Sequence, residues 1–564
     1  MVMQQVDGTL LLVPPQQSLP AHVAEHTARV QRAVWRLRSM QLSRTDMRYM
    51  VPDLDLNVTW EEVECELKRL ASPSSTMIYF EMNGYPIHGA IVPLGPRVMH
   101  LAMCRPPPKP HALRPGSRNE VWVNIGVDGT MRHRASYVHA TLAVSDQCDQ
   151  LASWWVMRGT EKWETVFALA GQAKFDEQLR AAPKTAWVQD GETMHPLFFL
   201  LADGKGQVLM SGCRSFKYKG EAGCVCWCCG KNLQQVLEAF GKEKTIDALL
   251  SAIILLSAIF RNIPPERRPP DFGLHGVARV TICGLNAMVR IVARTTKKSK
   301  PSVAKVIQGI LDEDRVISGT MTKGCVIAQR VQGNPKGVLR LEASAAVHFM
   351  RSGRFSLVVT ACEGLLGPED ATKACEGVPW NDRCTQWWEA FALWCKYAWQ
   401  SDFLTGAQLS NLREACVTMG RNHNALRFPK LLWSHLWIDH IYAYARRWRT
   451  LSKFSCFIVE GSHRRFKRML RNSGGISVLK QRSGLQVVVD NHTVDDSLCL
   501  VGWDVTSRAA KTQVAIGKNL YWKRHAQNRR IKRSVATEAL YRTRARQILK
   551  FGGQVREIHH RRGY

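Results

Sequence analysis

The sequence lacks an apolar run long enough to cross a bilayer. Its longest apolar stretch, Leu249 to Phe260, has 12 residues, whereas a spanning helix needs about 20. It also lacks a basic segment followed by an apolar run at its start, so we expect no secretory leader and no membrane partner. Both absences favour a reducing compartment, where the 17 cysteines are expected to be packed thiols or metal ligands.

Several catalytic motifs are also missing. The sequence has no G-x-x-x-x-G-K-[ST] phosphate loop, no G-x-S-x-G elbow and no H-E-x-x-H pair, and the GKGQ stretch at 204–207 lacks the spacing of a phosphate loop. These absences argue against a P-loop NTPase, a serine hydrolase of the α/β type and a zinc protease.

Acidic residues are scarce. The chain has 47 Asp and Glu against 78 Lys and Arg, a formal net charge of +31, which favours a polyanionic partner such as DNA or RNA. The imbalance is strongest in 511–564, with 15 basic and 2 acidic residues, and we expect this tail to contact nucleic acid. Its candidate contact residues are Lys523, Arg524, Arg529, Arg530, Lys532 and Arg533.

Length and patterning predict an α/β protein of several domains. Residues 1–118 are predicted to be mostly helical, with a capping box at Thr59 and Glu62, and a proline-rich linker ends this region. Residues 119–230 are predicted to contain, in order, the strands EVWVNIGV, ASYVHATLAV and SWWVMR, a helix, and the strand LFFLLA from Leu197 to Ala202. Residues 231–450 are predicted to be a helical insertion, 451–510 to hold a further helix and two strands (one of them LQVVVD), and 511–564 to form the basic tail.

Three acids stand where metal-dependent phosphodiester chemistry needs them. Asp128 follows the first predicted strand, Asp203 follows the fourth, and Glu460 lies on a late helix. Carboxylates at strand ends on rigid elements can hold the two Mg²⁺ (or Mn²⁺) ions used in nucleotidyl transfer. An Asp-Gly dipeptide is also a common turn, so each aspartate taken alone has that simpler interpretation.

Three local patterns resemble the DDE transposases of eukaryotes. They are G-V-D-G-T followed by SYVHATLAV, the apolar strand LFFLLAD followed by a cysteine cluster, and E-x-x-H-x-x-x-K at Glu460. The Kyakuja–Dileera–Zisupton type is one candidate. The resemblance implies an RNase H-like mixed sheet core with a large helical insertion, flanked by a helical N-terminal region and a basic C-terminal tail. It further implies Asp128, Asp203 and Glu460 as catalytic Mg²⁺ ligands, double-stranded DNA (transposon ends and target) as substrate, a homo-oligomer on DNA, and a nuclear location.

The predicted Glu460 helix is basic. His463 and Lys467 fall three and seven residues after Glu460 and share its face, and Arg464 lies beside them. These three side chains are candidates for contact with the DNA backbone, although a solvated basic helix would have the same pattern.

A cysteine cluster predicts a structural zinc site. Cys226 and Cys229 have C-x-x-C spacing, and His275 and Cys283 are candidates for the other two ligands. Buried reduced thiols are the alternative. Two other functions stay open: a catalytically inactive, domesticated DNA-binding protein with the same fold, and an RNA-binding or ribosome-associated basic protein.

Overall fold

A computed structural model describes most of the chain. The described residues are 2–6, 9–13, 21–40, 44–54, 56–103, 119–132, 135–144, 151–159, 163–184, 186–189, 192–202, 226–238, 263, 267–270, 272, 274–314, 330–331, 334–335, 339, 341, 343–372, 378–400, 402–456, 466, 484–500, 503, 505, 509–510 and 512–513. The chain divides into two compact units, one of residues 1–18 and 70–501 and one of residues 19–69 and 502–564.

The described part of the smaller unit is mostly helical. Its helices are α1 (Ala21–Ser39), α2 (Arg44–Met50), a 3₁₀ turn (Val51–Leu54) and α3 (Trp60–Leu70), whose last residue belongs to the larger unit. The predicted capping box is confirmed, because the Thr59 amide donates to Glu62 Oε2 at 2.7 Å and the Glu62 amide donates to Thr59 Oγ1 at 3.3 Å. Trp35 of α1 packs on Trp503 with ring centroids 5.4 Å apart.

The larger unit contains a seven-stranded mixed sheet of order β3-β4-β7-β6-β5-β9-β8. The strands are β3 (Thr76–Met82), β4 (Tyr85–Ile91), β5 (Glu120–Arg132), β6 (Ala135–Val144), β7 (Leu151–Arg158), β8 (Trp187–Gln189) and β9 (Glu192–Leu201). Only β5 and β9 pair in parallel; the other pairs are antiparallel. A separate two-stranded hairpin joins β1 (Val2–Val6) to β2 (Thr9–Val13).

Alternation along β5 assigns its side chains to two sheet faces. Val123, Ile125 and Val127 lie in one core with residues of helices α4 (Leu94–Met103), α5 (Trp163–Gln172) and α6 (Phe175–Ala181). Trp122, Asn124 and Asp128 occupy the alternate positions. Trp122 belongs to the second core, which contains most of the helical region, so this face of the sheet is the one that the helical region covers.

The predicted helical region is present over the described part of 231–450. Its helices are α7 (Leu233–Glu238), α8 (Leu274–Thr295), α9 (Lys300–Asp312), α10 (Ala343–Arg351), α11 (Phe355–Leu366), α12 (Pro368–Thr372), α13 (Trp380–Ala398), α14 (Gly406–Ala425) and α15, a continuous helix made of Leu432–His435, a π-helical turn Leu436–His440, and Ile441–Trp448. A short strand pair, Arg330–Val331 with Asn334–Pro335, interrupts it.

Tryptophans pack the interior of this region. Trp387, Trp388 and Trp394 of α13 are buried, and Trp387 meets Trp388 edge to face at 4.9 Å. One helix among the described residues, Gly276–Thr295, has the length and composition of a membrane span, and 67% of its apolar window is buried inside the protein.

One predicted element is wrong. The stretch LQVVVD, rich in β-branched residues, was predicted to be a strand, but it lies in helix α16 (Gly484–Leu500). Leu485, Val488 and Val489 are buried together with Tyr137 and Val156 of the sheet. Their spacing of three and four residues forms one helical face, and burial of that face outweighs the context-dependent strand propensity of valine.

Gly284 of α8 allows the close approach of α13. A Cβ atom at this position would lie 3.0 Å from ring atoms of both Trp387 and Trp388. We expect Gly284→Ala to destabilise the protein by about 1–3 kcal/mol, because the packed rings must move. Gly309→Ala is the matched control, since that helical glycine has nothing within 4 Å of the added carbon, and alanine there should stabilise α9 by about 0.5–1 kcal/mol. Thermal unfolding of both variants measures the difference, and equal effects would contradict the packing argument.

Candidate metal centre

A tight turn after β9 presents the C-x-x-C pair. The Gly230 amide donates to the Cys226 carbonyl at 2.9 Å, and the Cys226 amide donates to the Lys231 carbonyl at 3.4 Å. Gly230 has a φ of 66°, a left-handed conformation that glycine adopts without a steric penalty. The turn directs two buried thiols, Cys226 and Cys229, toward the interior of the helical region.

Two histidines on α15 face these thiols. His435 ends the first α-helical turn, and His440 ends the π-helical turn that follows. Residues five apart on an α-helix point about 140° away from each other at 3.6 residues per turn. The wider π-helical turn, with roughly 4.4 residues per turn, reduces this angle to about 50°. The π-helical turn therefore brings both imidazoles to the same side.

The four ligand atoms form a compact group. Cys226 Sγ lies 3.6 Å from His440 Nε2, and Cys229 Sγ lies 3.6 Å from His435 Nε2. The two Nε2 atoms are 3.0 Å apart, and all four atoms lie within 4.8 Å of one another. Zinc bonds of about 2.3 Å to sulfur and 2.0–2.1 Å to nitrogen give a tetrahedron with edges of roughly 3.3–3.8 Å. The buried cluster therefore has the donor set and dimensions to bind a metal ion such as zinc.

Outer partners orient the ligands. Asp439 Oδ2 lies 2.6 Å from His435 Nδ1, and both side chains are almost fully buried. This contact holds the proton on Nδ1, because the carboxylate accepts it, and leaves the Nε2 lone pair for the cluster. Tyr444, one helical turn beyond His440, places its hydroxyl 3.5 Å from Cys228 Sγ and 3.2 Å from the Arg268 carbonyl.

Burial sets the protonation of the cluster. Desolvation raises the pKa of Cys226, and the neighbouring Cys226 thiol together with desolvation raises the pKa of Cys229. Desolvation, followed by the nearby His435, lowers the pKa of His440. Without a cation, the neutral forms of Cys226, Cys229 and His440 are thus favoured. A bound dication would instead stabilise the two thiolates, so metal binding would release protons.

The structure gives a different ligand set from the one predicted. Cys226 and Cys229 are in the cluster, but the remaining two positions belong to His435 and His440. Cys283 lies elsewhere on α8, beside Trp387, His423 and Phe428, where burial raises its pKa to about 11. His275 lies within α8 by its backbone, and its side chain is outside the described residues.

Asp128 stands near the end of β5 and is partly exposed. In the β5–β6 register it faces His139 directly, so the two side chains share the sheet face that carries Asn124. His139 is buried, and its Nε2 lies 2.8 Å from Ser153 Oγ, which lies 3.1 Å from His492 Nδ1 of α16. This polar chain links β6, β7 and α16 behind Asp128.

Two contacts place Lys453 and Phe466 on the sheet face that carries Asn124 and His139. Asn124 Nδ2 donates to the Lys453 carbonyl at 3.2 Å. The Phe466 ring stacks on His139 with centroids 4.2 Å apart and planes inclined by 12°. Residues on both sides of Glu460 in the sequence therefore pack on the face of β5 and β6 that carries Asp128.

The other predicted site residues lie outside the described residues. They are Asp203, Glu460, His463, Arg464, Lys467, Lys523, Arg524, Arg529, Arg530, Lys532 and Arg533. Their roles remain predictions from the sequence.

Asp439 should tune metal affinity without being a ligand. We expect Asp439→Asn to weaken zinc binding about 10–100-fold, because the amide no longer fixes the His435 tautomer as a carboxylate does. Competition against a chelator of known affinity measures this change. Asp382→Asn, an exposed position at the start of α13, is the control and should leave affinity unchanged. Equal affinity in both variants would show that Asp439 has no such role.

Comparisons of the chain with models of known protein families and with curated protein sequences found no match. The assignment of a function therefore depends on the geometry of this chain alone.

Proposed function

We propose that this protein is a DNA transposase of the DDE type, with an RNase H-like sheet and a divalent-metal site formed by Asp128, Asp203 and Glu460. The observation that carries the proposal is that Lys453 and Phe466 contact β5 and β6 on the sheet face that carries Asp128. Glu460 lies between these two residues in the sequence, so its segment begins and ends on the sheet face of Asp128.

The parallel pairing of β5 with β9 supports the metal-binding role proposed for Asp203. β9 pairs with β5 as far as Leu201, which stands opposite Gly126. Asp128 follows Gly126 by two residues, and Asp203 follows Leu201 by two residues. In the sequence, the two aspartates thus follow the last paired residues of adjacent parallel strands by the same number of positions, a spacing that supports a metal site shared by two carboxylates.

The strand order also supports the proposal. β5, β6 and β7 form an antiparallel meander, and β9 joins β5 in parallel on its other side. The order β7-β6-β5-β9 is the one expected of the first four strands of an RNase H-like sheet. Two features depart from that pattern: the β3–β4 hairpin extends the sheet beyond β7, and β8 lies antiparallel at the β9 edge.

Carboxylate oxygens suit Mg²⁺ or Mn²⁺, and the partial exposure of Asp128 leaves it accessible to a substrate. Bound divalent ions would activate the attacking hydroxyl and stabilise the leaving oxygen of the phosphodiester. The chain's own contribution is a rigid placement: Asp128 on a central strand, backed by the buried His139–Ser153–His492 chain.

We propose that the Cys₂His₂ cluster binds zinc in a structural role. The cysteine turn lies just before the helical region, and α15 lies at the end of that region, shortly before the segment that contacts Asn124. A zinc ion held by both would fix the entry and exit of the helical region. It would thereby position the segment that carries Glu460. Protein side chains would fill all four coordination positions of the zinc ion, which is typical of a structural zinc site.

A plasmid-nicking assay of the full chain tests the proposal. Supercoiled DNA is incubated with wild-type protein and Mg²⁺ or Mn²⁺, and with Asp128→Asn protein under the same conditions. We expect nicking that needs the metal and is lost in the variant. Tight DNA binding by the wild type without any nicking, and no Mn²⁺ binding that depends on Asp128, would instead favour an inactive DNA-binding protein.

A further inference from the structure

The corner between α8 and α9 carries an unusual concentration of positive charge. Six exposed basic residues lie within 16 positions, and they are Arg290, Arg294, Lys297, Lys298, Lys300 and Lys305. The sequence has no acidic residue between Asp271 and Asp312. This basic corner belongs to the helical region, and in the sequence it lies far from the basic C-terminal tail and from the residues around Glu460.

The six side chains have no internal partner. Among the described residues, none of them forms an ion pair or a side-chain hydrogen bond. Exposed cations elsewhere do find acids: Arg69 lies 2.6 Å from Glu66 and Arg180 lies 3.1 Å from Asp176. A stable surface usually mixes both signs of charge, and a single-sign cluster without counter-charges produces a strong local field.

Helix stability favours cations at the C-terminal end of α8, such as Lys297 and Lys298, but it does not explain Lys300. α9 begins after Ser299, whose Oγ accepts from the Ser302 amide at 3.3 Å, and its first turn contains no acidic residue. The N-terminal end of a helix carries partial positive charge, so Lys300 at this end is unfavourable and an acid would be favourable. The arrangement adds cations to a helix end that already attracts anions, which makes an external anion the natural partner.

We propose that the basic corner contacts the phosphate backbone of double-stranded DNA. The inference rests on the proposed function, because it takes DNA as the substrate. Arg290 and Arg294 lie one turn apart on α8, and Lys297, Lys298 and Lys300 continue from the helix end into the start of α9. Flexible, unpaired cations fit phosphates without reading base sequence. The corner therefore adds affinity and orientation, and it makes binding steeply dependent on salt.

The test is a salt titration of DNA binding by the full chain. The probe is a fluorescent 30-base-pair duplex of arbitrary sequence. The variant Lys297→Gln/Lys298→Gln/Lys300→Gln removes three charges from the basic corner. The control variant Lys174→Gln/Arg180→Gln/Lys184→Gln removes three exposed charges near α6, and Lys174 and Lys297 match even in their positive φ angles of 51° and 54°.

We expect the corner variant to bind DNA at least tenfold more weakly at low salt. The slope of log affinity against log salt should fall in magnitude by up to about 2.7, from three lost phosphate contacts. Thermal stability should be unchanged, because the side chains have no partners to lose. The control variant should keep most of the wild-type slope.

The outcomes separate the two proposals. If wild-type protein binds DNA and both variants lose affinity equally, the basic corner is no specific contact surface, and the proposed function stands. If wild-type protein does not bind DNA at all, both proposals fail. If the corner variant loses binding to anionic vesicles but not to DNA, the partner is a membrane surface and the inference is overturned.

Discussion

Replacing His435 with alanine should remove bound metal from the protein and destabilise it strongly. Purified wild-type protein is expected to contain about one zinc per chain, held by Cys226, Cys229, His435 and His440. Structural zinc supplies about 10–16 kcal/mol to zinc-finger peptides. Here the ligands also sit within a large apolar core, so we expect a smaller loss of several kcal/mol and a clear drop in melting temperature.

The measurement combines elemental analysis with thermal unfolding, with and without a chelator. Cys283→Ser is the control that separates the two possible ligand sets. It should keep zinc and lose little stability, because Cys283 is not among the four clustered ligands, while Cys229→Ser should behave like His435→Ala. Wild-type protein without stoichiometric zinc would refute the site, and zinc loss in Cys283→Ser would favour the sequence-based ligand set.

Cobalt substitution offers a second readout for the same site. Co²⁺ in a tetrahedral site with two thiolates should give intense visible absorption and thiolate charge-transfer bands. His440→Cys should preserve binding and change the spectrum, since it exchanges a nitrogen for a sulfur ligand. A spectrum without thiolate bands would place the metal elsewhere.

The second large effect concerns Asp128. We expect Asp128→Asn to reduce metal-dependent DNA nicking by at least about 10³-fold, equivalent to roughly 4 kcal/mol of transition-state stabilisation. The amide keeps the size of the carboxylate but loses the charge that binds a divalent ion. Binding of Mn²⁺ followed by electron paramagnetic resonance should weaken in parallel, which links the lost activity to the metal.

The same variant should retain DNA binding. Removal of one negative charge beside the substrate should leave affinity equal or slightly higher in the absence of metal, because a carboxylate repels phosphate. Asp176→Asn, on the surface of α6 and paired with Arg180, is the matched control and should keep full activity. If Asp128→Asn nicks DNA at the same rate as the wild type, Asp128 is excluded from the catalytic site.

Sequence patterns were sufficient where local spacing decides the structure. The strand-like stretches EVWVNIGV, ASYVHATLAV and SWWVMR predicted β5, β6 and β7, and Thr59 with Glu62 predicted the start of α3. The strand Leu197 to Ala202 was predicted too short, since β9 begins at Glu192. LQVVVD was mispredicted because propensity within six residues could not reveal the helical face that packs on the sheet.

The metal centre shows most clearly what the sequence determined and what only the tertiary structure decided. The C-x-x-C spacing identified Cys226 and Cys229, because two ligands on one turn are a local feature. His435 and His440 lie more than 200 residues further along, and their five-residue spacing would point them apart on a regular α-helix. Only the π-helical turn of α15 turns both toward the cysteines. Such a turn depends on packing against the rest of the core rather than on local propensity, so the partners of the two cysteines became visible only in the folded chain.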